Sequence, residues 1–296
     1  MRDGARVLSY TICILVAFAG SLAVATTSFG QTAAVTMVGA GDIADCDSKR
    51  DEATARLLAR ILGTVFTLGD NAQIKGTRSE LRNCFHPSWG DHKKRMKPSV
   101  GNHEYYTAGA GPYYEYFGKR AGTRGRGYYS YDRGAWHVVV LNSNCKHVGG
   151  CGRHSAQGRW LRRDLRANPS RCTISYFHHP LFSSNAPTTA VRPLWRMLHE
   201  RGADVILSGH AHSYERFAPQ TPAGRRDDAR GIRQFVVGTG GYPPLKPFGP
   251  RPAHSQVRND KTPGVLRLTL RSGSYSWKFV PIAGRTFTDS GSDRCH

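Results

Sequence analysis

The chain has 296 residues, with 39% apolar and 21% charged side chains, a balance that excludes both a disordered polyelectrolyte and a multi-span membrane protein. Its 42 Lys and Arg against 21 Asp and Glu give a formal charge of +21, a field that attracts anions and speeds encounter with phosphorylated ligands. The basic residues are spread along the whole chain with no basic arm and no aromatic-basic module, so nucleic acid is kept as a candidate substrate only.

The first residues have a character of their own. Arg2 and Arg6 flank a short polar start, and Tyr10 to Ala25 is almost entirely apolar or small. The apolar centre is shorter than the ~20 residues a spanning helix needs. Ala23-Val24-Ala25 supplies a small-residue cleavage pattern, so residues 1–25 are expected to be a cleavable secretory signal. A second such site ends at Gly30, and an uncleaved anchor is the alternative. Cleavage after Ala25 leaves 271 residues of charge +20, expected to fold as one domain over residues 33–296 in a secreted or periplasmic setting, with no stable membrane anchor. Six cysteines remain after Cys13 is lost, an even number that suggests disulfides. Cys145 and Cys151 enclose the turn-forming stretch Lys146 to Gly150 and are the leading pair. Cys46 with Cys84 and Cys172 with Cys295 are weaker pairings among the 15 connectivities six cysteines permit.

From Val35 the chain alternates apolar runs with helical patterns. Val35 to Val38 reads as a buried strand entering Gly39-Ala40-Gly41-Asp42. Ser48 to Leu62 places Ala55, Leu58, Ala59 and Leu62 on one helical face, and Val65 to Leu68 makes the next strand, ending at Gly69-Asp70. A β-α-β unit can bring two such acidic loops together at one end of a sheet. Pro98-Ser99-Val100 leads into Gly101-Asn102-His103-Glu104, and Tyr128 to Asn142 reads as paired strands turning near Asp132-Arg133-Gly134. A helix over Ser155 to Ala167 follows, with Trp160, Leu161 and Leu165 inward. Thr173 to Phe177 is a strand ending at His178-His179-Pro180. Val191 to Glu200 is a helix stopped by Gly202, and Val205 to Leu207 ends at Ser208-Gly209-His210-Ala211-His212. Gln234 to Val237, Val265 to Leu270 and Tyr275 to Val280 are strands. Pro222 to Arg230 reads as a polar loop and Pro243 to Arg258 as a proline-rich surface loop.

One arrangement recurs five times: an apolar strand, then a polar loop carrying Asp, Asn or His. Carboxylate oxygen and imidazole nitrogen suit hard or borderline divalent metals, and two such metals can clamp the attacking and leaving oxygens of a phosphoryl transfer. Each motif alone is modest, since a Gly-Asp after a strand is often a plain turn. Gly238-Thr239-Gly240-Gly241 lacks the lysine and following helix of a phosphate loop and reads as a strand-ending turn. Tyr105, Tyr106, Tyr113, Tyr114 and Tyr116 suit a buried aromatic cluster better than a substrate platform.

Taken in order, Gly41-Asp42, Gly69-Asp70, Gly101-Asn102-His103-Glu104, Phe177-His178-His179-Pro180 and Gly209-His210-Ala211-His212-Ser213-Tyr214-Glu215-Arg216 resemble the calcineurin-like metallophosphoesterase superfamily. The resemblance is greatest to its purple-acid-phosphatase-like branch, of a bacterial secreted type. It implies an α/β fold, a four-layer α/β/β/α metallophosphoesterase sandwich, and hydrolysis of phosphate esters through two divalent or trivalent metal ions (Fe, Mn or Zn). Carried over residue by residue, it implies that Asp42, Asp70 and His212 hold one metal and that Asp70, Asn102, His178 and His210 hold the other, with Asp70 as the bridge. His178 is taken as ligand over His179 because the family places the ligand two residues before proline. His103 and His179 become catalytic residues that contact the phosphate or the leaving oxygen, and Glu104, Tyr214, Glu215 and Arg216 supporting residues. The chain departs from the family in two places. Gln73 stands where the purple enzymes carry the tyrosine that binds ferric iron, and Ala44 stands where many members carry a histidine. The first metal position is therefore short of one protein ligand, which the Gln73 oxygen or water could fill. The expected activity is that of a phosphomonoesterase on a phosphorylated small molecule. The alternatives are a phosphodiesterase or nucleotidase on the same site, or a non-catalytic polyanion-binding protein whose metal site has decayed.

Overall fold

A computed structural model describes residues 33–296, together with Met1, Arg2, Gly4 and Leu8. The expected signal segment, residues 1–25, lies outside the described residues apart from those four. Among the described residues, no helix is long and apolar enough to cross a membrane.

In chain order the strands are β1 (Val35–Ala40), β2 (Ala44–Asp45), β3 (Thr64–Leu68), β4 (Ala72–Gln73), β5 (Met96–Ser99), β6 (Tyr129–Arg133), β7 (Trp136–Val140), β8 (Cys172–Tyr176), β9 (Val205–Ser208), β10 (Tyr214–Phe217), β11 (Arg233–Val237), β12 (Ser255–Asn259), β13 (Gly264–Arg271), β14 (Ser274–Pro281) and β15 (Ser290–Arg294). The α-helices are α1 (Arg50–Arg60), α2 (Arg78–Glu80), α3 (Gly111–Phe117), α4 (Ala156–Ala167) and α5 (Arg192–His199). One sheet has the order β15-β14-β13-β1-β3-β5 and the other β12-β10-β11-β9-β8-β7-β6. The two face each other, and strand alternation shows why. In β7, β8 and β9 the residues Val138, Val140, Ile174, Tyr176, Val205 and Leu207 join the core shared with Met37, Val65 and Phe66 of the first sheet. Their alternates Val139 and Ile206 turn outward, onto Leu161 and Leu165 of α4 and Leu194, Trp195 and Leu198 of α5. Leu58 of α1 packs against the first sheet's side of the core. The result is the four-layer α/β/β/α architecture.

Among the departures of the sequence reading from the structure, three are instructive. Helix α1 buries Thr54, Ala55 and Leu58 but leaves Ala59 and Leu62 exposed: the backbone turns extended at Ile61 (ψ 102°), which carries Leu62 off the buried face. The stretch Pro243 to Arg258 is not all loop, because β12 begins at Ser255 and pairs antiparallel with β10. With Val257 its only apolar residue it carries little strand signal, as befits an edge strand. Strand β15, equally polar, also lies at a sheet edge and gave no signal.

All three disulfides form as paired in the sequence reading: Cys46–Cys84, Cys145–Cys151 and Cys172–Cys295. The last closes 123 residues and ties β8 of the second sheet to the residue after β15 of the first. In the chain-entropy account such a loop is worth about 4–5 kcal/mol.

Between the second sheet and α4, buried His137 spans two carboxylates, Nδ1 to Asp132 Oδ1 at 2.8 Å and Nε2 to Asp164 Oδ2 at 2.9 Å. Both nitrogens must donate to satisfy both acids, so the ring is favoured as imidazolium. Burial opposes that charge, but the hydrogen bonds to Asp164 and Asp132 outweigh it and raise the pKa above its ordinary value. A raised folded-state pKa gives stability that is full below about pH 6.5 and fades as pH rises through the folded value. Replacing His137 with Gln is therefore expected to cost about 1–3 kcal/mol at pH 6 and clearly less at pH 9. Denaturant melts of both proteins at the two pH values would reveal the narrowing gap, and a gap independent of pH would refute it.

Candidate metal centre

Strands β1, β3 and β5 run parallel, so the loops that follow them leave the sheet at one edge. The loops after β1 and β3 stay bonded beyond the sheet: the amides of Asp42, Ile43 and Ala44 donate to the carbonyls of Gly69, Asp70 and Asn71, and β2 then pairs with β4. This sets Asp42 beside Asp70. In the second sheet, parallel β8 and β9 deliver His178 and the His210 to His212 loop to the same place, joined by Gly209 N–H to the His178 carbonyl. Among the bonds that stitch the sheets together at the site is that from His178 Nδ1 to the Leu68 carbonyl of β3 at 2.7 Å.

Asp42, Asp70 and His210 all have left-handed backbones, with φ of 58°, 48° and 66°. For side-chain-bearing residues this conformation costs about 1–3 kcal/mol each and persists where the surroundings enforce it. Gly69 at φ 83° is required by space as well: a Cβ there would lie 2.6 Å from His178 Nδ1 and 2.7 Å from Gly101 Cα.

The side chains converge. Because the Leu68 carbonyl can only accept, His178 Nδ1 carries the hydrogen, and Nε2 faces inward. Around it stand Asn102 Oδ1 at 2.9 Å, Asp70 Oδ2 at 3.1 Å and His210 Nδ1 at 3.2 Å. Four atoms that are natural acceptors thus crowd together, and only a proton or a metal cation between them relieves the repulsion. Without a metal the proton serves. Burial disfavours a charged His178, yet the Asp70 carboxylate overrides it and pushes the pKa up to about 9. Burial likewise opposes ionisation of Asp70, but His178 and His103 hold its carboxyl well below the usual range. Burial and the neighbouring His178 charge push His210 down to about 4 and His179 to about 2.

On the other side, Asp42 Oδ2 accepts the His210 N–H at 2.8 Å, while Oδ1 lies 3.4 Å from His212 Nε2 and has no hydrogen-bond partner. Gln73 in β4 is 1% exposed, and neither of its amide atoms finds a partner. A buried carboxylate oxygen left open beside an imidazole nitrogen, as Asp42 Oδ1 is beside His212 Nε2, is what a metal site needs. Asp42, Asp70 and His178 can offer one ligand atom each within 4.8 Å of one another, and so can His178, His179 and His210. The residues present therefore fit metal ions.

Two histidines border this cluster with opposite ring settings. His103 donates its backbone N–H to Asp70 Oδ1 at 2.9 Å and bonds the Ile74 carbonyl through Nδ1 at 2.5 Å. Its Nε2 lies 3.7 Å from Asp70 Oδ2. His179 bonds Ser143 Oγ through Nδ1 at 2.8 Å and packs on His210, with ring centroids 4.5 Å apart.

Glu104, read from sequence as a supporting residue, proves central to the scaffold. Fully buried, its Oε2 accepts the N–H groups of Gly101 at 2.6 Å and Asp70 at 3.1 Å, and its Oε1 accepts those of Asn71 at 2.7 Å and 3.2 Å. Burial and the Asp70 charge push its carboxyl up to about 7 against the pull of those donors. Glu215 accepts from Ser184 and Ser255, and Tyr214 and Arg216 bond Asp289, so all three brace β10 and its surroundings. Of the tyrosines, Tyr113 and Tyr114 are buried core and Tyr106 is exposed beside His103. The segment after β11 is a strand-ending turn that closes on the Asp42 loop, through Gly240 N–H to the Gly41 carbonyl and Tyr242 N–H to the Asp42 carbonyl. Sequence reasoning passed over Ser143 and Tyr242, whose ring meets His212 edge-on at 5.1 Å. For Ser143 a signal was present, since Asn142-Ser143-Asn144 follows β7 as the recognised motifs follow their strands.

Comparison with known proteins bears on family and fold. The calcineurin-like phosphoesterase family matches residues 35–214. Purple acid phosphatase 21 of Arabidopsis thaliana is 31% identical over 122 residues, 38% of this chain and 26% of the relative. Human acid phosphatase type 7 is 29% identical over 179 residues, 50% of this chain and 41% of the relative. These matches span less than half of the curated relatives' length. Among solved structures, purple acid phosphatase PPD1 from yellow lupin (Lupinus luteus) superposes with a TM-score of 0.71 at 17% identity, covering 89% of this chain and 54% of that one. GAP50, described as the anchor in the inner membrane complex of Plasmodium, reaches 0.69 at 12% identity, covering 89% of each chain. The structural likenesses speak for the fold alone. With the family match running from β1 into β10, a span that holds Asp42, Asp70, Asn102, His178, His210 and His212, the chain belongs to the calcineurin-like phosphoesterase family.

Proposed function

We propose that this protein hydrolyses phosphate monoesters at a dinuclear metal site, and that it works outside the cytoplasm. The observation that carries the reading is the crowd of inward acceptors around His178 Nε2, with Asp42 offering a further unpartnered oxygen to the same group of ligand atoms. Asp42, Asp70 and His212 would hold one ion, aided by Gln73, and Asp70, Asn102, His178 and His210 the other, with Asp70 shared. Two such ions, of Fe, Mn or Zn, supply Lewis acidity towards the phosphoryl oxygens and lower the pKa of a nucleophilic water.

The chain's own residues do the rest. The His178 to Leu68 bond fixes which ring nitrogen faces the ions, and the His103 N–H orients the shared carboxylate. His103 and His179, which flank the cluster, would contact the phosphate and its leaving oxygen. The chain's positive charge draws anionic esters in. Three disulfides and the N-terminal apolar segment favour an oxidising compartment.

The test is elemental analysis of the purified protein, then rates on p-nitrophenyl phosphate and bis(p-nitrophenyl) phosphate with Mn, Zn and Fe(II). We expect two ions per chain and a clear preference for the monoester. A diester preference would turn the reading towards a phosphodiesterase or nucleotidase. Two bound ions with no hydrolysis of either ester would favour a polyanion-binding protein.

A further inference from the structure

Away from the metal cluster, a recess of about 390 Å³ opens between α4 and the segment that leads into β6, lined chiefly by Lys119, Thr123, Arg126, Tyr128, Tyr129 and Trp160. None of these is a proposed metal ligand, and no carboxylate stands among the lining residues. The acid reached through Ser130 is already engaged: Asp164 accepts the Ser130 hydroxyl at 2.6 Å and bonds His137 with its other oxygen. Lys119 and Arg126 are exposed, and neither side chain has an ion-pair or hydrogen-bond partner among the described residues.

The walls are fixed from outside the recess. Tyr128 packs into the core between the second sheet and its helices, and its ring meets that of Trp160 at 5.0 Å between centroids, tilted by 42°. The Tyr129 hydroxyl donates to the Pro98 carbonyl at 2.7 Å. Between the two cations the chain doubles back, with the Thr123 carbonyl accepting the N–H groups of Arg126 at 3.0 Å and Gly127 at 3.2 Å. Gly122 permits the close approach, since at φ 73° a Cβ there would lie 2.9 Å from Tyr129 Cδ1. Two unpaired cations are thus held at the rim of an aromatic floor.

Each part narrows the ligand. Cations without an acid partner select an anion, and a guanidinium suits the paired oxygens of a carboxylate, sulfate or phosphate group. An aromatic face that reaches solvent suits a ring with an apolar face, and the volume lies within the ~300–1,000 Å³ of ligand pockets. The tilt between Tyr128 and Trp160 leaves no parallel-walled slot for a flat base, whereas it accommodates the puckered, C–H-lined face of a sugar. We propose that this recess binds an anionic saccharide, its ring lying on Trp160 and its acidic group against Lys119 and Arg126. The site is separate from the metal cluster and does not depend on the phosphatase reading.

Trp160 makes the test direct. Of the five tryptophans, Trp89, Trp136, Trp195 and Trp277 are buried and Trp160 alone is partly exposed, so ligand-induced changes in tryptophan emission report this recess. Glucose 6-sulfate, glucose, sodium sulfate and adenosine 5′-sulfate are titrated into the full chain at about 0.15 M salt, where the general field of the chain is screened within about 8 Å. Glucose 6-sulfate is expected to change the emission saturably with a Kd of about 1 mM, glucose to bind at least about 10-fold more weakly, and sulfate to leave the emission unchanged. The double variant Lys119→Ala/Arg126→Ala, which removes two exposed side chains that hold nothing else, should stay folded and raise the Kd about 10-fold or more. Saturation-transfer NMR supplies a readout free of fluorescence: the sugar ring protons should be marked in wild type and clearly less in Trp160→Leu. No saturable response to glucose 6-sulfate up to about 20 mM, an equal response to glucose, or a double variant that binds as wild type does would overturn the proposal. Tighter binding of adenosine 5′-sulfate than of glucose 6-sulfate would overturn it too, in favour of a nucleotide site.

Discussion

Replacing Asp70 with asparagine is expected to abolish hydrolysis while leaving the protein folded. Both carboxylate oxygens are committed, Oδ1 to the His103 N–H and Oδ2 to the face shared with His178 Nε2. Only a carboxylate can serve two ions and still accept that N–H. An asparagine can keep its oxygen on the His103 N–H, but it then turns its NH2 towards His178 Nε2, which as a neutral ring accepts it. The hydrogen bonds of the fold are thereby met and the cost of a buried carboxylate disappears, so the melting temperature should change little. The metal site is another matter, since the amide removes the only charge common to both proposed ions. Loss of about 4 kcal/mol of transition-state stabilisation corresponds to a rate about 10³-fold lower, and we expect at least that, together with fewer than two ions per chain by elemental analysis. A variant that keeps both ions and a near-normal rate would remove Asp70 from its bridging role.

Much of this site is legible in the sequence because Asp42, Asp70, Asn102, His178 and His210 each follow the end of a parallel strand. Once Val35 to Val38 and Val65 to Leu68 read as neighbouring buried strands, Asp42 and Asp70 must emerge at one edge, and the structure places them there. The same logic works for Asn102, His178 and His210, one residue type at a time. What composition could not convey is how the loops are held. The left-handed turns at Asp42, Asp70 and His210 leave no trace in a sequence where glycine, their usual marker, is the preceding residue. The polar edge strands β12 and β15 lack an apolar face, so alternation gives no signal, and their place is fixed by pairing with β10 and β14. Leu62 looked like the continuation of a helical stripe, and only the turn at Ile61 takes it out of the core. Glu104 and Ser143 are further instances: each acts by gathering donors from other segments, a relation that exists only after folding.

Glu104 supports the second large prediction, that neither alanine nor glutamine will substitute for it. Its carboxylate is the meeting point of two ligand loops, accepting N–H groups from Asp70 and Asn71 on one and from Gly101 on the other. Alanine leaves these buried donors without partners, and at about 1–3 kcal/mol for each buried group left unpaired the non-additive total is expected near 3–5 kcal/mol, a fall of about 10 °C in melting temperature. Glutamine has the right shape but the wrong chemistry. Each carboxylate oxygen receives two N–H groups, so an amide must point its own NH2 at two donors whichever way it is flipped. Glu104→Gln should therefore be destabilised as well, by less than the alanine variant, with the displaced Asp70 and Asn102 loops weakening metal retention by about 10-fold to 100-fold. Thermal melts combined with metal-binding titrations separate this from mere loss of a packing contact, which would lower stability without affecting metal affinity in the molecules that remain folded. A glutamine variant with unchanged melting temperature and unchanged metal affinity would show that the Glu104 charge holds neither loop.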